Sequence, residues 1–407
     1  MRRWAPAADH PARPGLRRAG RSARHRPERD ADLRRRPREG AEGLDDLSAV
    51  DRVAADALAL CAIAAPTGAE EERARAVAER LAEAGAAPAR DAAGNVVARF
   101  GPDDGPAAIV AAHLDTVFPA DTPLEPRRSP GALHGPGIGD DCLGLAALAH
   151  VARRLAAGPA PAHPVVLAAT VGEEGLGDLR GARALLDACA CDAFVALEGH
   201  GRDTLQTAGI GSARLRARFT GPGGHSWGDR GAPSAVHALL AAGARAIAAA
   251  GGAHVNVGVV GGGTSVNTIA AEAAAEIDLR DADDAALEAT RDRVVAALRA
   301  ATPTGIELVI EPLGRRPAGS TPPAHPLVQA ARAARRAAGL PPAEENASST
   351  DANAALGRGL PAICLGLTHG ADAHRPDEYV ELEPLGPGLA ALEALIDALG
   401  RGLPQER

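Results

Sequence analysis

Acidic and histidine residues fall in five places along the 407-residue chain, in an order that could hold two metal ions. They are His113-Leu114-Asp115, Asp140-Asp141, Glu173-Glu174, Glu198 and His374. The first four stand at or near the ends of apolar runs or a glycine-rich turn, and His374 stands in a loop. Hydrolysing an amide at neutral pH needs a polarised carbonyl, a deprotonated water and a proton carrier. Two metals and one spare carboxylate would supply all three.

Each place has its own logic. His113 and Asp115 are two apart in a strand, so they share a face and the carboxylate can orient the imidazole. Asp140 and Asp141 close the glycine-rich turn Gly135-Pro136-Gly137-Ile138-Gly139. Two adjacent acids without a basic partner repel, and a nearby cation resolves this. Asp141 can serve in part as a helix N-cap, which leaves Asp140 free to bridge two ions. Glu173 and Glu174 in an extended turn point apart, which suits one ligand and one base. Glu198 has the same placement after its own apolar run. His369 competes with His374, but the run Arg375-Pro376-Asp377-Glu378-Tyr379 directly after His374 favours the latter.

The elements that must position these residues read as an α/β fold. Helical patterns span about 49–64 and 69–84. Apolar strands at about 95–100, 107–112, 165–171 and 193–197 then alternate with helices, which puts functional loops at the strand ends. From about 212 to 312 the order becomes β-α-β-β-α-β, the ferredoxin-like split βαβ unit of a small α+β domain. The expected division is 1–46 as an Arg/Pro-rich extension, 47–210 with 315–407 as the metal-binding domain, and 211–314 as an insertion. The extension lacks apolar periodicity and reads as disordered. Arg2-Arg3 opens the chain but no hydrophobic segment follows, so an export signal is not supported.

A net charge of -8 argues against nucleic acid as the partner of the whole chain. No stretch is long and apolar enough to span a bilayer. Every basic residue besides histidine is arginine, which reads as codon usage. Five cysteines with no paired spacing point to a reducing, cytoplasmic compartment. Cys189 and Cys191, at a helix-to-strand junction, are expected to be buried thiols.

The order H-x-D, G-x-G-D-D, E-E, a later E and H-x-x-x-E resembles the co-catalytic zinc peptidase and deacylase family. That family includes carboxypeptidase G, peptidase T, aminoacylase and succinyl-diaminopimelate desuccinylase, and the resemblance covers nearly everything from Leu47 onward. It implies a catalytic domain with a mixed sheet flanked by helices, and an inserted lid or dimerisation domain. Asp140 would bridge the metals, with His113 and Glu198 on one and Glu174 and His374 on the other. Glu173 would be the general base acting on a metal-activated water, Asp115 would support His113, and the Asp140-Asp141 peptide would be cis. Gly223-Gly224-His225-Ser226-Trp227 resembles the lid motif, so His225 would stabilise the oxyanion, from the partner subunit in dimeric relatives. Asn267 and Arg280 would contact a substrate carboxylate or carbonyl. The loop Ser348-Ser349-Thr350-Asp351-Ala352-Asn353 would line the pocket or support the site. Cys142 stands where many relatives carry lysine, and a small packing role is expected for it.

The resemblance thus implies two divalent ions, zinc foremost, with cobalt and manganese also suited to mixed N/O ligands. The substrate would be a short peptide or an N-acyl amino acid, and a homodimer through the inserted domain is expected. Deacetylation or desuccinylation of an acylated diamino acid stays open, as does a non-catalytic peptide-binding relative.

Overall fold

The computed structural model describes residues 48–404, and the expected extension, 1–46, lies outside them. Its first sheet has nine strands. Four parallel strands form the middle, in the spatial order Val165–Thr170, Ala107–His113, Cys191–Glu198, Ala362–Gly366. Val96–Phe100 joins one side and Thr204–Gly209 the other, both antiparallel to their inner neighbours, so the sheet is mixed.

The central strands are apolar throughout because both faces are covered. Within Ala107–His113, Ala108, Val110 and Ala112 enter one core while Ala107, Ile109 and Ala111 enter the other. This is the period of two expected of a strand between two layers. The helices Ala49–Cys61, Leu143–Ala157 and Leu385–Arg401 pack on the first face, and Arg180–Ala188 with Ala352–Leu356 on the second. Because the strands are parallel, their carboxyl ends lie along one edge. His113, the turn after Thr170 and Glu198 therefore meet there.

A second sheet holds four antiparallel strands in the order His254–Gly262, Glu272–Asp281, Gly211–Thr220, Glu307–Arg316. With the helices Ala235–Ala249 and Asp284–Ala301 this gives the β-α-β-β-α-β order along the chain. The helices begin at Ser234 and Asp283, whose side chains accept the backbone N–H of His237 and Ala286. They cover one face of the sheet through Ala213, Leu215, Ile277 and Leu279. The last strand runs past 312, the expected end of this unit, to Arg316. Pro312 sits on an edge strand, where a register shift before Gly314 accommodates it.

Cys189 and Cys191 are half-buried rather than buried, because the helix-to-strand junction lies at the amino end of a central strand, where Ala188, Ala190 and Asp192 are exposed. All five cysteines are free. Among the described residues no helix is long and apolar enough to cross a membrane.

Candidate metal centre and catalytic site

Asp140 is the meeting point of the cluster. One carboxylate oxygen lies 2.8 Å from His113 Nε2 and the other 2.9 Å from His374 Nε2. His374 Nε2 is also 3.2 Å from Glu174 Oε1. Glu198 comes within ligand range of His113 on the opposite side, together with Asp141. The structure therefore brings His113, Asp140, Glu174, Glu198 and His374 into one cluster, with Glu173 beside His113 and Glu174. His369 lies apart, 2.8 Å from Asp203.

Three segments hold Asp140 in place. The Asp140-Asp141 peptide is cis. Asp141 turns away from His374: its carboxylate accepts the N–H of His113 at 3.1 Å and that of Gly144, in the first helical turn, at 3.1 Å. Glu378 is fully buried and accepts from the backbone N–H of Gly137, Gly139 and Asp140 at 2.7–2.9 Å. His200 Nε2 lies 2.9 Å from the same carboxylate.

Asp115 works differently from expectation. His113 Nδ1 lies 3.0 Å from the main-chain oxygen of Asp115, and its carboxylate is farther, at 3.6 Å. That carboxylate instead accepts the N–H of Glu173 and of Glu174, each at 2.9 Å, and the hydroxyl of Thr67 at 2.8 Å. The reason is geometric: the next parallel strand ends beside it and presents two free N–H groups. Asp115 thereby sets the loop carrying both glutamates, as well as the imidazole.

The cluster's electrostatics are those of a site built for cations. Burial, reinforced by Asp141 and Asp140, pushes Glu198 well above the usual carboxylate range. Burial likewise raises Glu173 to about 8, although the Arg316 guanidinium acts against it. Asp140 is buried too, but hydrogen bonds from His113 and His374 hold it well below its ordinary value. Hydrogen bonds to Asp140 and Glu174 raise His374 to about 10. Burial opposes charge on His113, yet its contacts with Asp115 and Asp140 outweigh that and raise it. The carboxylates raise both imidazoles toward their protonated forms, and a divalent ion would take the place of those protons. The donor set of imidazole nitrogens and carboxylate oxygens fits such ions.

The other predicted residues lie on or beside the second sheet. His225 and Asn267 share one exposed ribbon, in which His225 pairs with Thr268. His225 Nδ1 accepts the N–H of Trp227 and Gly228, so the neutral ring carries its proton on Nε2. Arg280 bonds Asp278 at 2.8 Å. Neither His225, Asn267 nor Arg280 bonds the metal cluster of this chain among the described residues.

Three residues given no role in the expected site join it. Glu378 and His200 brace the Asp140 turn. Arg316, at the end of the last strand of the second sheet, is buried and reaches Glu173 Oε1 at 2.8 Å. Asn353, in the loop expected to line the pocket or support the site, bonds the main chain. Its amide donates to the carbonyls of Ile210 and Pro317 at 2.9 and 2.8 Å, where the chain leaves and re-enters the first sheet. The only sequence signal for these was the acid four residues after His374 and the Arg315-Arg316-Pro317 junction.

A mixed α/β sheet with a histidine and carboxylate cluster at its carboxyl edge forms a site suited to divalent metal ions. The chain belongs to the peptidase family M20/M25/M40, which it matches over residues 109–398, and the family match makes the protein a hydrolase of peptide or amide bonds. No curated protein sequence matches it. Solved structures do: a tripeptidase from Staphylococcus aureus subsp. aureus mu50 is 21% identical with a TM-score of 0.70, covering 86% of this chain and 98% of that one. The aminopeptidase PepT from Bacillus cereus ATCC 10987 is 21% identical with a TM-score of 0.69, covering 86% and 99%. An amidase of the hydantoinase/carbamoylase family from Burkholderia vietnamiensis is 17% identical with a TM-score of 0.65, covering 86% and 97%. At these identities the likeness is one of fold.

Proposed function

We propose that the chain is a dinuclear zinc hydrolase that cleaves the amide bond of a short peptide or an N-acyl amino acid. The observation that carries this reading is Asp140, whose two oxygens each face a different histidine, His113 and His374. A carboxylate so shared is suited to bridging two ions. His113 and Glu198 would complete one ion's protein ligands, and Glu174 and His374 the other's. Cobalt or manganese would suit the same donors.

When bound, the ions supply Lewis acidity, polarising the scissile carbonyl and acidifying a water. The chain's own residues do the rest. Glu173 takes a proton from the attacking water as the C–O bond forms, and delivers it to the leaving nitrogen as the C–N bond breaks. Asp115 fixes where Glu173 and Glu174 begin, through their N–H groups. His225, with its proton on Nε2, is the donor for the developing oxyanion. Asn267 and Arg280 orient a substrate carboxylate or carbonyl.

Residues 211–314 act as a lid and dimerisation domain. The strand His254–Gly262 leaves one side unpaired, with Val259 and Val260 exposed, and the helix Ala235–Ala249 exposes Leu240 and Ile247. An unpaired edge beside exposed aliphatic side chains suits a second copy of the chain. Five free cysteines suit a reducing cytoplasm. The peptidases among the structural neighbours favour peptides, and the amidase keeps non-peptide acyl groups in view.

The test is amine release from a panel of dipeptides, tripeptides and N-acyl amino acids. Zinc-, cobalt- and manganese-loaded protein would be used, with Glu173→Gln as the blank. Turnover of one group that vanishes in the variant supports the reading and names the substrate. Equal turnover by the variant removes Glu173 as the base.

A further inference from the structure

We infer that Arg316 is a positioning residue for the general base, and that the second sheet thereby sets where Glu173 stands. The inference rests on the reading of Glu173 as the base.

Arg316 ends the strand Glu307–Arg316, and its guanidinium holds Glu173 twice. Nη1 donates to Oε1 at 2.8 Å, and Nη2 donates to the main-chain oxygen of the same residue. Nη1 also reaches the carbonyl and hydroxyl of Ser349 at 3.3 and 3.2 Å. With Asp115 on its N–H, Glu173 is fixed at its amide, its carbonyl and one carboxylate oxygen. Among the described residues the other oxygen, Oε2, has no partner. That oxygen is therefore the one free to exchange a proton, and its direction is set by the bond to Oε1.

The grip comes from one face of the second sheet, opposite its helices. Arg280 and Arg316 are the cross-strand partners of Ser212 on its two sides, so all three point the same way. Arg214, two residues along, shares that face and donates to the carbonyl of Gly175. The N–H of Arg315 donates to Asp178 at 2.8 Å. Residues 173–178 are thus held at three points by the second sheet.

Replacing Arg316 alone leaves the buried Glu173 carboxylate without its partner, so stability must be followed beside the kinetics. A positioning role predicts a definite pattern. Arg316→Met and Arg316→Lys would be compared with wild type and Glu173→Gln for kcat, KM, bound metal and melting temperature. Displacing the base by about 1 Å should lower kcat of Arg316→Met on the order of 100-fold, with KM within about threefold and metal content unchanged. Arg316→Lys, which keeps one charged donor, should recover part of that loss, and it also serves if the methionine variant does not fold. A raised KM with kcat kept would overturn the proposal in favour of substrate binding by Arg316. Unchanged kinetics, or loss of metal or fold in both variants, would overturn it as well. If Glu173→Gln itself turns over normally, the base assignment fails first and the arginine result is judged on that ground.

Discussion

Glu378 accepts the backbone N–H of Asp140 at 2.9 Å, although 238 residues separate them. Four residues before Glu378, His374 Nε2 meets the side chain of the same aspartate. One short loop thus fixes both the main chain and the carboxylate of Asp140. Three N–H groups and His200 converge on the Glu378 carboxylate, an arrangement that neutral groups reproduce poorly. Glu378→Gln should therefore weaken metal binding by about 10–100-fold while the protein still folds. Competition with a chromophoric chelator measures this. Unaltered affinity would mean that the turn holds its shape without the charge.

Asp140→Asn removes one anionic oxygen between two histidines. The variant should retain at most one equivalent of metal, measured by elemental analysis after dialysis. Two retained equivalents would refute the bridging role of this carboxylate.

What was legible in the chain follows from which forces act locally. The strand ends bearing His113, Glu174 and Glu198 are marked by apolar runs that need burial on both faces, and such runs stand out in sequence. Both helices of the second sheet carry a recognisable N-cap and an apolar stripe. The strands Thr204–Gly209 and Glu344–Ser348 passed unread because they pair at the margin and lack a long apolar run. Sequence marks Glu378, as the acid of H-x-x-x-E, and Asn353, in the loop expected to line or support the site, but not what they bond, and Arg316 is not marked as a site residue at all. Their partners are main-chain or side-chain groups more than thirty residues away, and pairing of that kind leaves no period in the sequence. Asp115 was placed correctly beside His113, but the use of its carboxylate depended on a neighbouring strand.

Proton release should accompany metal uptake. Asp140 and Glu174 raise His374 from its ordinary 6.5 to about 10, and His113 is raised as well. For a cation with a raised pKa, the stabilising contribution is full below about 6.5 and is lost as pH rises through about 10. A metal must displace these protons, so its apparent affinity for metal-stripped protein should rise with pH between 7 and 9. Calorimetry in buffers of different ionisation enthalpy counts the protons released. A pH-independent affinity with no release would show that the imidazoles are not the ligands.

Asn353 ties the two places where the chain passes between the sheets, through the carbonyls of Ile210 and Pro317. Asn353→Ala leaves both part-buried carbonyls without that donor, at a net cost of about 0.5–1.5 kcal/mol for each bond lost. Chemical denaturation should show the loss, and limited proteolysis should begin near 210 or 317. Stability within about 0.5 kcal/mol of wild type would mean that water replaces the amide.

The origin of the oxyanion donor can be decided by mixing subunits. His225 is exposed, its Nδ1 is engaged by its own loop, and among the described residues no bond joins it to this chain's metal cluster. His225→Ala should raise the barrier by about 3 kcal/mol, a loss of roughly 100-fold in kcat. Metal content should be unchanged, since the ring is no ligand. Glu173→Gln should be inactive with His225 intact. In the proposed dimer, the two variants mixed and re-equilibrated would give heterodimers in which one site has both an intact Glu173 and a partner subunit that retains His225. Activity should then rise above that of either variant alone. If His225 instead served the site of its own chain, every site in the mixture would lack one of the two groups and no activity would return.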